Sequence, residues 1–149
     1  TMTRALRIVG GVVAGIIVAL ILLIAVEAFS AVVHPVPADF DGTMEQMCQH
    51  VARYPQWVLA VVVPMWGATA YVSTWAAHRI GGRAAAVFIA ILLVAAVVFN
   101  VSMLPYVMWF KLVMVPVVAG AAALACVRPP GGRGGVGAPA DREDAEPRV

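Results

Sequence analysis

Residues 8–26 form a run of nineteen residues without a charged side chain. An α-helix rises about 1.5 Å per residue, so a run of this length can cross a bilayer core of roughly 30 Å. Arginines at positions 4 and 7 precede the run, and the prolines of His34-Pro35-Val36-Pro37 predict the end of the helix. The sequence therefore predicts an integral membrane protein with a first span at about residues 8–33.

The composition predicts three more spans. The chain of 149 residues is 62% hydrophobic and 12% charged, which is far more apolar than a soluble domain. Further charge-poor stretches predict spans at about residues 55–77, 84–103 and 107–127. Residues 128–149 are rich in glycine, proline and mixed charge, and this composition predicts a disordered cytoplasmic tail.

The first connecting segment predicts one short helix outside the spans. Thr43-Met44-Glu45-Gln46 fits a capping box, with Gln46 three residues after the candidate N-cap. Met44, Met47, Cys48 and Val51 then follow at the spacing of one helical face. We expect an amphipathic helix at about residues 43–53, lying in the interface or on the bundle. The predicted fold class is therefore all-α: a transmembrane four-helix bundle with a short helix in the first outer loop.

The arginine distribution predicts the orientation. Pairs at positions 4 and 7, 79 and 83, and 128 and 133 flank three helix ends that share a side if there are four spans. Since cytoplasmic loops are enriched in Lys and Arg, both termini are predicted to be cytoplasmic. The spans are predicted to cross the inner (plasma) membrane. The aromatic side chains that collect at the opposite interface are Tyr54, Trp57, Tyr106 and Trp109.

An internal repeat is a further prediction. One aromatic and proline pattern occurs twice, 52 residues apart: Tyr54, Trp57 and Pro64 match Tyr106, Trp109 and Pro116. The pattern is typical of two hairpins of like orientation. The alternative is that interfacial Tyr and Trp recur in any outer belt, and that prolines are frequent in membrane helices.

Five polar residues are candidates for a ligand site or an ion pathway. Glu27, Ser30 and His34 share one helical face near the outer end of the first span. Asn100 and Lys111 lie at similar depth on the third and fourth spans, and Glu27 is predicted to pair with Lys111. An ionisable group in a span is costly and usually faces protein or a water-filled cavity. The alternative is a structural ion pair, or side chains that reach to the headgroups.

No catalytic residue, cofactor or metal site is predicted. His34, Cys48 and His50 with nearby carboxylates are the one metal-like group, but Cys-x-His is not a recognised zinc spacing. Cys48 and Cys126 are expected on opposite membrane faces, too far apart for a disulfide. The composition gives no basic, aromatic-interleaved surface for nucleic acid.

Two short motifs carry a resemblance to a known group. These are His34-Pro35-Val36-Pro37 and the stretch from Met103 through Pro105 to Phe110. With them the chain resembles small uncharacterised bacterial four-helix integral membrane proteins. The resemblance implies the four-span topology and a bacterial inner membrane, but no activity. Tyr106 stands where those proteins carry a histidine, so no role of that histidine is transferred.

Three functions are compatible with these patterns. The first is a non-catalytic component that packs against other membrane proteins or associates with itself, since small residues on helix surfaces allow close approach. The second is a small transporter or ligand-binding bundle with a polar pocket near the outer face. The third is a membrane enzyme acting on a lipid or quinone, with Glu27 or His34 as general base. Membrane lipids, other membrane proteins or a second copy of the chain are the expected partners.

Overall fold

The computed structural model describes residues 2–127, and its regular structure there is entirely helical. Four of the helices are long and apolar enough to cross a membrane, which confirms the all-α class and four candidate spans. The predicted disordered tail, residues 128–149, lies outside the described residues. In chain order the helices are α1 (Met2–Val33), α2 (Met44–Ala52), α3 (Gln56–Gly81), α4 (Arg83–Met103) and α5 (Met108–Val127).

Helices α3 and α4 form the centre of the bundle. They contact each other, and each of them also contacts both α1 and α5. Within residues 2–127 the two flanking helices, α1 and α5, make no contact with each other. The bundle is therefore a rhombus in cross-section, with α1 and α5 at its far corners.

Glycines let α1 lie directly against the backbone of α3. A Cβ placed on Gly11 would lie 2.5 Å from the Cα and N of Gly81 and 2.8 Å from the carbonyl oxygen of Ala77. A Cβ on Gly15 would lie 2.8 Å from the side chain of Ile89 on α4. The Gly11-x-x-x-Gly15 pair is therefore used inside the chain, where small residues allow close helix approach.

The turn between α3 and α4 is shorter than the sequence indicates. The predicted span ends at residue 77, whereas the helix continues to Gly81 and a single residue, Gly82, separates it from α4. Gly82 has φ of 76°, a left-handed conformation that glycine adopts without a steric penalty, and its N–H donates to the carbonyl of His78. The extra helical turn is packed, because Gly81 lies against the carbonyl oxygen of Arg7 on α1.

The short helix α2 begins after the predicted N-cap, Thr43, and differs from the predicted capping box in one hydrogen bond. Thr43 accepts from the N–H of Gln46 at 3.4 Å, as an N-cap should. The Gln46 side chain does not return to the Thr43 N–H; its Oε1 accepts from the N–H of Asp41 at 2.7 Å. The Thr43 N–H instead donates to Asp41 Oδ1 at 2.9 Å. This backbone hydrogen bond holds the pKa of Asp41 below its usual value.

The two halves of the predicted repeat correspond in part. Helices α3 and α5 begin 52 residues apart, at Gln56 and Met108. They run in parallel, since Gly67 lies near Val117 while His78 Nδ1 lies 3.1 Å from the carbonyl oxygen of Ala125. Exact symmetry fails, however, because α3 contacts α4 whereas its expected counterpart, a contact of α5 with α1, is absent from residues 2–127. Duplication of a hairpin therefore stays a prediction.

Candidate functional site

A cavity of about 440 Å³ occupies the end of the bundle opposite the arginine-bearing ends of α1, α3 and α4. All five helices contribute to its wall. The helices α1 and α4 run in parallel and meet at Gly15 and Ile89, well before this end of the bundle. The cavity lies farther along, between the last two turns of α1 and the last turn of α4.

Four of the five predicted candidates line this cavity. Glu27 and Ser30 come from one face of α1, His34 directly follows this helix, and Asn100 comes from α4. Ser30 is buried, whereas Glu27 and Asn100 are exposed at the edge of the cavity. The predicted partner of Glu27, Lys111, is half-buried on α5 and is not among the lining residues. The structure thus brings four candidates together, and the Glu27–Lys111 ion pair stays a prediction.

Exposure divides the lining into a back wall and a rim. Of the wall residues from α3 and α5, Leu59, Val62 and Met114 are buried and Trp66 is half-buried. The lining residues from α4 are exposed, with Phe99 at 66% and Met103 at 50%. Glu27 and Ala31 of α1 are exposed as well. The cavity therefore opens sideways between α1 and α4, and its apolar interior lies against α3 and α5.

A cluster of three rings closes the top of the cavity. The rings of His34 and His50 stack with centroids 4.3 Å apart and an interplanar angle of 21°. The Tyr54 ring lies 4.5 Å from that of His34 and 5.4 Å from that of His50. His34 Nε2 lies 3.2 Å from the carbonyl oxygen of His50, and since a carbonyl can only accept, Nε2–H is the donor. The cluster fastens α2 to the ends of α1 and α3.

Burial shifts the pKa values of groups in and near this cluster. Removal from water lowers the pKa of His50, and the neighbouring His34 lowers it further. Burial also raises the pKa of Tyr54 and raises that of Tyr106, which lines the same cavity, to about 12. Both tyrosines are therefore neutral hydroxyls over the physiological pH range, and His50 favours its uncharged form.

A second, more polar pocket of about 310 Å³ lies on the other side of the histidine pair. Its lining includes Asp39, Gln46 and Arg53. His34 and His50 line both spaces, so the stacked rings separate the apolar cavity from the polar pocket.

Sequence reasoning did not place His50, Tyr54 and Tyr106 at the site. His50 lies three residues after Met47, on the face of α2 that the hydrophobic spacing had indicated, and it is only 8% exposed. The spacing of His50 after Met47 was therefore a usable signal, but the apolar pattern favoured Met44 and Met47, which are exposed at the cavity edge. Tyr54 and Tyr106 were interpreted as belt residues of the interface, although they also face the cavity.

In residues 2–127 no three His, Cys, Asp or Glu side chains come close enough to hold a metal ion. Compared with models of known protein families, with curated proteins and with solved structures, the chain gives no match. The resemblance to small bacterial four-helix membrane proteins therefore remains an expectation drawn from its two motifs, and the function has to be argued from the cavity.

Proposed function

We propose that the chain is a four-span protein of the bacterial inner membrane with both termini in the cytoplasm. Three helix ends carry arginines, and Arg7 lies against the turn between α3 and α4. This arrangement agrees with the preference of arginine for the cytoplasmic side. The cavity and the rings of Tyr54 and Tyr106 then lie toward the outer face, which agrees with the affinity of Tyr for membrane interfaces.

Its function, in this proposal, is to bind a small amphipathic molecule in the cavity at the outer end of the bundle. The observation that carries the proposal is the cavity itself, whose volume falls within the range of small-ligand pockets, about 300–1,000 Å³. Its wall is apolar, and a few polar groups, Glu27, Ser30 and Asn100, converge at one side. This combination of an apolar wall and few polar groups is typical of sites that bind and orient small molecules.

A plug at the rim tests this function. Ala31 is exposed and lines the cavity, so Ala31→Trp should fill the entrance without disturbing the buried wall. Ala28 is also exposed on α1 but is not among the lining residues, so Ala28→Trp is the matched control. In native mass spectra of protein released gently from its own membrane, we expect a defined small-molecule mass on the wild type and on Ala28→Trp.

The same mass should be missing from Ala31→Trp. Equal retention by the two tryptophan variants would contradict binding in this cavity. A wild-type spectrum without any bound small-molecule mass would contradict the proposed function.

The second candidate function is that of an accessory component or self-associating bundle. The observation favouring it is that α1 packs through one narrow face, leaving Leu20 at 55% exposure and Ile24 at 69%. On α5, a Cβ at Gly120 would meet nothing within 4 Å, so this small residue is open to close approach. Stoichiometric foreign subunits or a homo-oligomer in the same spectra would favour this candidate.

A further inference from the structure

We infer that the cavity holds a single-chain amphipath with an ammonium head group, which enters sideways from the bilayer between α1 and α4. This inference rests on the proposed function, because it names the class of molecule that the cavity binds.

The charge at the cavity edge favours a cationic head group. Among the described lining residues, Glu27 is the one carboxylate, and none is Lys or Arg. A carboxylate within a membrane span is costly unless an opposite charge or several hydrogen-bond donors accompany it. Because Lys111 does not line the cavity, a bound cation would supply that charge for Glu27.

The other polar groups nearby are suited to accept hydrogen bonds. His34 Nε2 already donates to the His50 carbonyl, so a neutral His34 presents Nδ1 as an acceptor. Asn100 offers an amide oxygen, and Ser30 and Tyr54 offer hydroxyl oxygens. An ammonium group carries up to three donors, whereas a sulfate or phosphate head would bring further acceptors and a repulsive charge to Glu27.

The rim explains why the molecule comes from the bilayer. Phe99 and Met103 are largely exposed at the α1–α4 opening, on surfaces that would contact lipid chains in a spanning bundle. The outer side of the cavity is partly covered by α2, whose Met44 and Met47 are exposed at the edge, and by the stacked rings of His34 and His50. An apolar chain can therefore slide in from the lipid with its head group beside Glu27, without crossing water.

Photo-crosslinking of the full chain in phosphatidylcholine nanodiscs tests the inference. Three probes carry the same diazirine-bearing alkyl chain and differ only in the head group: ammonium, hydroxyl or sulfate. We expect the ammonium probe to label the wall residues Trp66 and Met114 saturably, and dodecylamine to compete for that labelling. Ile21 and Val32, which are exposed on the opposite side of α1 and are not among the lining residues, serve as an internal reference for labelling that does not saturate.

Replacing the carboxylate measures its contribution. Glu27→Gln should raise the ammonium concentration for half-maximal labelling about tenfold, since charge-assisted hydrogen bonds are roughly twice as strong as neutral ones. Glu45→Gln removes an exposed carboxylate of α2 that is not among the lining residues and should change nothing. Butylamine, which has the head group without the long chain, should compete poorly.

Each outcome separates the inference from the proposed function. If the hydroxyl or sulfate probe labels Trp66 as tightly as the ammonium probe, or Glu27→Gln binds like wild type, the ammonium inference is overturned while binding in the cavity stands. Competition by butylamine as strong as that by dodecylamine would also overturn it. If no probe labels the wall saturably, the proposed function falls as well.

Discussion

Gly11→Ala is expected to separate α1 from α3 and to lower the free energy of unfolding by about 1–3 kcal/mol, the usual cost of overpacking. The added Cβ would lie 2.5 Å from backbone atoms of Gly81 and 2.8 Å from the carbonyl oxygen of Ala77. No rotamer change can relieve these contacts, since they involve backbone, so one helix has to shift as a whole. The loss of stability is measured by heating the protein in detergent and recording the folded peak that remains in size-exclusion chromatography.

Two other helical glycines, one on α1 and one on α5, provide matched controls for this substitution. A Cβ on Gly10 would meet only the side chain of Ile80, at the ordinary contact distance of 3.9 Å, and a Cβ on Gly120 would meet nothing within 4 Å. Gly10→Ala and Gly120→Ala should therefore be neutral or slightly stabilising, because alanine has the higher helix propensity. Equal behaviour of all three variants would show that α1 does not pack on α3 through Gly11.

Acidification is expected to weaken the attachment of α2 to the bundle. The pKa of His50 lies below the ordinary value of 6.5 in the folded state because the residue is buried and faces His34. The folded form therefore binds fewer protons than the open form as pH falls below about 6.5, and its stability decreases down to the folded-state pKa. Each unit of pKa depression favours the open form about tenfold at low pH.

Hydrogen exchange of residues 44–52 between pH 7.5 and 5 measures this opening, after correction for the intrinsic pH dependence of exchange. The groups around the pair are Tyr54, Asp39 and Arg53 together with Glu27 on the cavity side, and Tyr54 does not titrate in this range. His50→Phe keeps an aromatic ring and should abolish the pH dependence. His78→Gln, at the opposite end of the bundle, should leave it intact. If hydrogen exchange of residues 44–52 depends on pH in His50→Phe as it does in the wild type, another titratable group causes the opening.

The helices could be predicted from the sequence because hydropathy and helix-stop signals are local. The start of α2 could be predicted from Thr43 and Gln46, although the Gln46 side chain accepts a hydrogen bond from Asp41 and not from the cap residue. The helix α3 continues four residues beyond the predicted span, to Gly81, where it packs against α1. Such a contact joins residues distant in sequence and leaves no periodic pattern.

The site divides in the same way. Glu27, Ser30 and His34 could be grouped from helical spacing alone, and Asn100 from its depth in a span. The stacking of His34 on His50 could not be predicted in this way, since it requires the loop after α1 to fold back and bring α2 over the cavity. The absence of Lys111 from the lining likewise depends on the rotation of α5, which its nearly uniform hydrophobicity does not specify.

The packing partners of α1 have a consequence for biosynthesis. Among the five described helices α1 is made first, yet the surfaces that receive its glycine face belong to α3 and α4. Until α3 leaves the ribosome, Gly11 and Gly15 have no helix of the bundle to lie against. In a nascent chain stopped before residue 81 we therefore expect α1 to be held loosely and to remain open to contact with an insertase or another protein, and we expect it to be fixed once Gly81 and then Ile89 are made.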